Sequence, residues 1–252
     1  MPRIRLLEER TALVTGSSRG IGRAIARLLA AQGASVWINY RRSRTAAESL
    51  EREIIDRGGK CHLIGADVTD EADVRRLAEE IGGQGGLDIL VHNAGPRIRS
   101  APFSDLSWSD MSTAHEEIVG SAFRVTKALL PALKQSKGKI ITILTSASLG
   151  RTAHNWLPYV AAKAALLAMG KNLAQELGPQ GVTVNMISPS MVDTDLTANI
   201  PDRVRQAMVS RTPLRRLATA EDVAGAVLLL ASPYASFISG ENLLVTGGET
   251  MI

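Results

Sequence analysis

Cysteine, aromatic residues and long hydrophobic runs are all scarce in this sequence of 252 residues. Cys61 is the one cysteine, which excludes an intrachain disulfide, and a protein without disulfides fits a reducing compartment. Charges at Glu8, Glu9 and Arg10 fall where a signal peptide needs its apolar stretch. We therefore expect a cytoplasmic protein.

Three kinds of partner are disfavoured by what the sequence lacks. An uncharged apolar run of about 18 residues, the length of a membrane span, does not occur. Aromatic residues make up 4% and the net charge is only +4, whereas a nucleic-acid-binding surface concentrates basic residues with interleaved aromatics. The four His residues lack the spacing of metal ligands. We expect no membrane, nucleic acid or metal as a partner.

The sequence does contain a regular alternation of short apolar runs and segments of helical spacing. Strands that are apolar throughout, each followed by a helix, indicate a parallel sheet covered on both faces. We predict an α/β fold, a Rossmann-type doubly wound parallel β-sheet with helices on both faces, formed by residues 1–252 as one domain. The predicted strands are 11–16, 35–40, 61–68, 87–95, 139–146, 182–188 and 242–248, and the predicted helices are 20–33, 44–59, 70–83, 109–136, 156–178 and 219–232.

The first predicted strand ends in a glycine-rich turn, TGSSRGIG, just before the first helix. Glycines at such a turn let the backbone approach a pyrophosphate, which the helix N-terminus then favours electrostatically. The alternative is that the glycines only shape a turn. In the first βαβ unit of a parallel sheet the pattern favours a dinucleotide, and we predict cofactor contacts from Gly16, Ser18, Arg19, Gly20, Ile21 and Gly22.

The end of the second strand indicates which dinucleotide is bound. An NAD site places a carboxylate there to accept the ribose 2′-OH. This strand ends instead in Tyr40, Arg41 and Arg42, and an Arg matches a 2′-phosphate with paired donors. Arg19 in the glycine turn can reach the same phosphate. Arg41 and Arg42 also fit a solvated loop, but two basic positions and no acid predict NADP(H).

The predicted helix 156–178 carries two polar residues on an otherwise apolar stretch. Tyr159 and Lys163 are four residues apart and therefore share a helical face. Ser146 lies thirteen residues before Tyr159, at the end of a predicted strand, and Ser148 is a rival for its role.

These motifs together resemble the short-chain dehydrogenase/reductase family over nearly the whole chain. The resemblance rests on TGSSRGIG, ADV at 66–68, HNAG at 92–95, Ser146 with the Y-x-x-x-K pair, and SPSMVDT at 188–194. It implies that Tyr159 is the general acid for a carbonyl oxygen and that Lys163 lowers the tyrosine pKa and binds the nicotinamide ribose. It also implies that Ser146 holds the substrate carbonyl. Further cofactor contacts carried over from the family are Asp67, Val68, Asn93, Ala94, Gly95, Pro189, Val192 and Thr194.

Several positions depart from the family pattern. His92 replaces the first Asn of NNAG, Ser190 replaces a Gly, and Thr246 replaces the Asp of DGG. Many members also carry an Asn, about five residues before Phe123, that supports a water-mediated proton relay. Here that position is Ile118 or, with a shift of one, Glu117. Either the relay is built differently, through His115 or Glu117, or turnover is reduced.

The resulting prediction is an NADPH-dependent reductase that transfers hydride to a ketone. Length and the segments INYRRS and GVTVNMISP are most similar to the 3-oxoacyl-[acyl-carrier-protein] reductases and their relatives in secondary metabolism. The alternatives are an NADP-linked dehydrogenase for a sugar, steroid or cyclic alcohol, and an NADP-binding protein that has lost catalysis. The substrate is a small or carrier-protein-tethered ketone, which Arg97 and Arg99 could meet. The family and an Ala-rich stretch in 159–177 predict a homotetramer.

Overall fold

Seven parallel strands form the central sheet of the computed structural model, which describes residues 5–96, 98–150, 152–193 and 202–251. In chain order they are β1 (Thr11–Val14), β2 (Ser35–Tyr40), β3 (Lys60–Gly65), β4 (Ile89–His92), β5 (Lys139–Ile143), β6 (Thr183–Pro189) and β9 (Asn242–Val245). In space they run β3-β2-β1-β4-β5-β6-β9, and every pairing is parallel. Two short strands, β7 (Val192–Asp193) and β8 (Ala218–Thr219), pair separately.

Helices cover both faces of this sheet, as predicted. They are α1 (Gly20–Ala31), α2 (Arg44–Asp56), α3 (Glu71–Gly83), α4 (Trp108–His115), α5 (Ser121–Ser136), α6 (Leu157–Leu177), α7 (Asp202–Arg211) and α8 (Ala220–Ala231). One apolar core joins the sheet to α1, α2 and α8, and a second joins it to α3 and α5. The C-terminal part of α6 contributes Leu177 to the second core. Because the strands are buried on both sides, their sequences are apolar throughout.

Several strands end earlier than predicted, and two predicted segments differ from the structure in kind. The predicted helix 109–136 is interrupted by a π-helical turn, Glu116–Gly120, between α4 and α5. The segment 191–211, which the sequence predicts to be a loop that frames the substrate pocket, contains α7. The sequence of α7, DRVRQAMVSR, has few apolar residues and no buried side chain, so it lacks the periodic apolar face by which a helix is recognised.

The carboxyl ends of the strands lie along one edge of the sheet. The strand order reverses between β1 and β4, since the crossover from β1 leads to β2 on one side while β4 lies on the other. Ligands of open α/β sheets bind in the crevice at such a switch point. The glycine turn follows β1, and HNAG begins at the last residue of β4, so both motifs reach this crevice. Among the described helices, none is long and apolar enough to span a membrane.

Candidate active site

The glycine turn after β1 has a backbone conformation and close contacts that residues with a Cβ could not adopt. Gly16 and Gly20 have φ angles of +61° and +55°, a conformation in which residues with a Cβ are strained. A Cβ on Gly22 would lie 2.4 Å from Asn93 Nδ2 and 2.7 Å from the carbonyl oxygen of Gly16. The turn leads directly into the N-terminus of α1 at Gly20, where backbone N–H groups favour an anion. The glycine turn and the N-terminus of α1, together called the glycine cradle, fit a pyrophosphate.

Side chains from neighbouring strands hold this turn in place. Asn93 Nδ2 donates to the carbonyl oxygens of Thr15 at 2.9 Å and Gly16 at 3.1 Å. The Gly16 N–H donates to Asn39 Oδ1 at 3.0 Å, and Thr15 Oγ1 accepts from the N–H groups of Asn93 and Ala94. Thr15 and Asn39 were not predicted, because a polar residue within a strand shows no role until its neighbour across the sheet is known.

The end of β2 presents basic groups to the same edge. The exposed Arg41 guanidinium lies 3.3 Å from Asp67 Oδ2, and Arg19 and Arg42 are exposed. Partial burial alone would raise the pKa of Asp67, but hydrogen bonds from Thr69 and the Arg41 charge outweigh burial and lower it. Asp67 is therefore an anion that holds Arg41 beside the strand end.

Lys163 is buried between α6 and the sheet, with 5% of its surface exposed. Its Nζ donates to the carbonyl oxygen of Ile143, the last residue of β5, at 2.6 Å. Burial lowers the pKa of Lys163 to about 8. The ammonium thus persists at neutral pH and is lost on moderate alkalinisation.

Tyr159 lies one helical turn before Lys163, at the mouth of the same site. Burial raises the pKa of Tyr159 to about 12, and a hydrogen bond with the Thr145 side chain acts in the opposite direction. The predicted lowering of this pKa by Lys163 does not appear, because Nζ is bound to Ile143 and lies 5.8 Å from the centroid of the phenol ring. The phenol keeps its proton at neutral pH, which suits a group that donates one.

Ser146 and Ser148 occupy a single 3₁₀ turn after β5, Ser146–Ser148, which packs against α6. The Ser148 hydroxyl donates to the Thr145 carbonyl oxygen at 2.8 Å. Within the part of the chain that the structure describes, the Ser146 hydroxyl makes no hydrogen bond. Of the two rivals, Ser146 therefore has the hydroxyl that is available to a substrate.

The position that holds an Asn in many relatives is occupied by Ile118, in the π-helical turn. Its side chain is 2% exposed and packs with Leu166 and Met186. His115, one of the predicted replacements, is exposed on α4, and Glu117 is half-buried. Ser121 Oγ donates to the Glu117 carbonyl oxygen at 2.7 Å, which stabilises the turn.

Of the remaining predicted cofactor residues, Ser18 is buried in the glycine turn, Ile21 lies in the first turn of α1, Tyr40 ends β2 and Gly95 is exposed after β4. Val68, Ala94, Pro189 and Val192 lie near the carboxyl edge of the sheet, and Val68, Pro189 and Val192 are buried. Thr194, like Arg97 in the predicted substrate region, lies outside the described residues.

A glycine cradle at the switch point, with a buried lysine and a protonated phenol beside it, defines a dinucleotide-dependent oxidoreductase. A family model described as enoyl-(acyl carrier protein) reductase matches residues 16–250. The chain belongs to the short-chain dehydrogenase/reductase family, and it is an oxidoreductase for CH–OH and C=O groups that uses a nicotinamide cofactor.

Known relatives cover nearly the full length of the chain. The 3-oxoacyl-[acyl-carrier-protein] reductase of Escherichia coli is 39% identical over 251 residues, 97% of this chain and 99% of that protein. A 7α-hydroxysteroid dehydrogenase, solved with NADH and 7-oxo glycochenodeoxycholic acid, superposes with a TM-score of 0.91 at 35% identity, covering 98% and 97% of the two chains. A short-chain dehydrogenase of Burkholderia cenocepacia, solved with NADP, gives 0.89 at 34% identity, covering 97% and 99%.

Proposed function

We propose that the protein is an NADPH-dependent reductase of ketones, acting on a 3-oxoacyl thioester or a related ketone. The observation that carries the proposal is the pairing of a protonated Tyr159 with a buried Lys163 beside the glycine cradle. We also propose that residues 1–252 work as one NADP-binding domain and that the protein is cytoplasmic.

The residues at the carboxyl edge fit NADP(H). The turn of Gly16, Gly20 and Gly22 would hold the pyrophosphate, and Arg41 and Arg19 would hold the 2′-phosphate. Asp67 and Val68 would flank the adenine, and Lys163 would bind the nicotinamide ribose. When bound, NADPH supplies the hydride for the carbonyl carbon.

The protein's own side chains bind the substrate carbonyl oxygen and donate a proton to it. Ser146 Oγ donates a hydrogen bond to the carbonyl oxygen and orients the ketone. Tyr159 Oη donates its proton to the same oxygen as negative charge develops there, which yields the alcohol. Lys163 leaves the pKa of the neutral phenol high, but its ammonium is the nearest positive charge on α6 to the phenolate that Tyr159 then becomes.

The best support for the substrate class comes from relatives. The E. coli relative is a reductase of 3-oxoacyl groups on acyl carrier protein, and its likeness to this chain extends over nearly all of both proteins. Arg99, a predicted contact for an anionic substrate, is paired with Asp110 and is therefore a weaker indication of a carrier. A panel of 3-oxoacyl thioesters, free β-ketoesters and cyclic ketones tests the proposal through NADPH consumption. Reduction of the thioesters supports the proposal, and activity with cyclic ketones alone contradicts the substrate class.

Two observations favour alternatives. The steroid dehydrogenase superposes as well as the other neighbours, which keeps a dehydrogenase for a steroid or other cyclic alcohol as the second candidate. Ile118 in place of the relay Asn is the ground for an NADP-binding protein without catalysis. Oxidation of cyclic alcohols with NADP⁺ identifies the first. Tight NADPH binding without turnover of any panel member identifies the second.

The preference for NADPH over NADH should depend on Arg41. We expect Arg41→Asp to weaken NADPH binding about 10–100-fold, because a charged hydrogen bond to phosphate is lost and a repulsive charge is gained. NADH binding, which involves no 2′-phosphate, should change little. Dissociation constants can be measured by quenching of intrinsic fluorescence.

Arg57→Asp is the matched control for this charge change. Arg57 follows α2 at the end opposite to Arg44, is exposed, and pairs with Glu53. It should leave both constants unchanged. Equal constants for NADPH and NADH in the unmodified protein would contradict the assignment.

We further propose a homotetramer. Exposed apolar side chains occur on opposite faces of the sheet: Trp108 and Phe123 on α4 and α5, and Leu229, Tyr234 and Phe237 on or just after α8. Ala164 and Ala168 are exposed on α6, where small residues permit close helix packing. Two different self-complementary surfaces on one chain generate a tetramer with three two-fold axes.

Sedimentation should therefore give four times the chain mass of 26.9 kDa. Phe237→Ser and Phe123→Ser should each yield dimers by removing one of the two interfaces. Ile55→Ser, at an exposed apolar residue of α2, is the control that should remain tetrameric. A monomer at micromolar concentration, or variants that stay tetrameric, would contradict this arrangement.

A further inference from the structure

A small cavity lies beside Lys163, between α5, α6 and the carboxyl ends of β1 and β4. The centre of a water molecule can occupy about 10 Å³ of it, room for a single water. The cavity wall includes the polar side chains of Thr15, His92, Ser121 and Lys163, and Ile118 is among the apolar residues that complete it. A polar cavity of this size is suited to one ordered water.

His92, the last residue of β4, brings an imidazole to this cavity although it has no role in the site described above. It is 6% exposed, and its Nε2 lies 2.7 Å from Thr126 Oγ1 on α5. Its Nδ1 has no hydrogen bond to the described residues. Burial, reinforced by the nearby Lys163 ammonium, lowers the pKa of His92 to about 3. The ring is therefore neutral, with one N–H donor and one acceptor nitrogen.

The polar groups around the cavity differ in which hydrogen-bond donors and acceptors they still have free. An ammonium has three N–H donors, and Lys163 uses one of them on the Ile143 carbonyl oxygen. The hydroxyls of Thr15 and Ser121 already donate to the backbone oxygens of Val91 and Glu117. Those two hydroxyls can therefore only accept further bonds, and Thr15 Oγ1 already accepts two. This leaves Ser121 Oγ and the imidazole as acceptors for a water bound to Lys163.

We propose that His92 is a positioning residue for Lys163, acting through one water in this cavity. Lys163 Nζ donates to the water, the water donates to His92 Nδ1, and His92 Nε2–H donates to Thr126 Oγ1. The water replaces solvation that the buried ammonium lacks. His92 thereby keeps Lys163 charged at the pH at which the site works.

The other charged groups around α6 do not provide this solvation. On α4, Asp110 is paired with Arg99, and in the π-helical turn Glu116 is paired with Arg124. Glu117 is half-buried and lies in the same turn as Ile118. The part of α5 that lines the cavity contributes Ser121, Ala122 and Val125, and β6 has no titratable side chain. Tyr159 on α6 itself presents the face of its ring to Nζ.

The test measures the Lys163 pKa directly, without cofactor or substrate. Protein labelled with ¹³C at the lysine Cε is titrated by NMR, and the Lys163 resonance is assigned from its loss in Lys163→Met. The midpoint should lie near 8 in the unmodified protein. His92→Leu, which removes the acceptor, should lower it by about one pH unit or more. His92→Asn, which restores an amide oxygen, should bring it back to the original value.

Thr126→Val serves where His92→Leu does not fold, since it leaves the histidine in place and removes only the group that orients it. It should lower the midpoint in the same direction by a smaller amount. An unchanged midpoint in a folded His92→Leu, or in Thr126→Val if His92→Leu is unfolded, would overturn the inference. So would an equal shift in His92→Leu and His92→Asn.

A kinetic readout rests on the proposed function. The alkaline limb of kcat for ketone reduction should move to lower pH in His92→Leu by the same amount as the NMR midpoint. A role in folding alone would lower kcat at every pH and leave the limb in place, which would overturn the inference. If no ketone is reduced by the unmodified protein, the proposed function fails, while the NMR titration still decides the role of His92.

Discussion

Tyr159→Phe should reduce ketone turnover about 10²–10⁴-fold, the usual contribution of a positioned acid. The substitution removes only the hydroxyl, so the ring continues to pack beside Trp156 and Lys163. Burial keeps the pKa of this phenol near 12, so the proton it donates is present throughout the neutral range. The affinity for NADPH should stay within about twofold, because the loss concerns the transition state alone.

Tyr234→Phe is the matched control, since it makes the same change outside the active site and keeps the ring that we place in a subunit interface. Steady-state kinetics and fluorescence titration of both variants separate chemistry from binding. Turnover in Tyr159→Phe close to that of the unmodified protein would show that the proton comes from another group.

Lys163→Met should remove both catalysis and a cofactor contact. The methionine side chain has nearly the length of the lysine side chain, but it has no charge to favour the phenolate and no hydrogen-bond donor for a ribose hydroxyl. We expect a loss of turnover of about 10²-fold or more, and NADPH binding weakened about tenfold. In the unmodified protein, kcat for reduction should fall as pH rises past about 8, where the ammonium loses its proton.

Lys171→Met tests whether any lysine of α6 has this effect. Lys171 lies on the same helix, but it is exposed, and its loss should change neither turnover nor binding. Thermal unfolding should show that Lys163→Met remains folded, because burying an uncharged chain costs less than burying an ammonium. NADPH affinity unchanged in Lys163→Met would contradict the ribose contact.

The fold was predictable because its pattern is local. Each βα unit is indicated by a short apolar run followed by a segment of helical periodicity. Strands that are apolar on both faces in turn indicate parallel pairing. Strand β2 was predicted at its observed bounds, Ser35–Tyr40. The glycine turn could be located for a similar reason, since the φ angles of Gly16 and Gly20 restrict the residue type within a short segment.

The parts that escaped prediction depend on contacts between distant segments. Asn39 binds the glycine turn from 23 residues away, and Thr126 meets His92 from 34 residues away. The π-helical turn at Glu116–Gly120 has no sequence pattern of its own. The pKa of Tyr159 was predicted from its nearest charge, whereas burial, which sequence does not reveal, raises it, and the Lys163 ammonium is bound to Ile143 instead. Replacement of an Asn by Ile118 was visible in the sequence, but the cavity beside Ile118 was not.

The most direct test of the account is to follow the hydride in the protein with and without the Tyr159 hydroxyl. The protein is incubated with NADPH deuterated at the transferable C4 position and a 3-oxoacyl thioester, and the product is analysed by mass spectrometry. We predict a 3-hydroxyacyl thioester that carries one deuterium at C3, formed by the unmodified protein and Tyr234→Phe and lost in Tyr159→Phe. NADPH binding without deuterium transfer to any ketone of the panel, or transfer that is equally fast in Tyr159→Phe, would contradict the account.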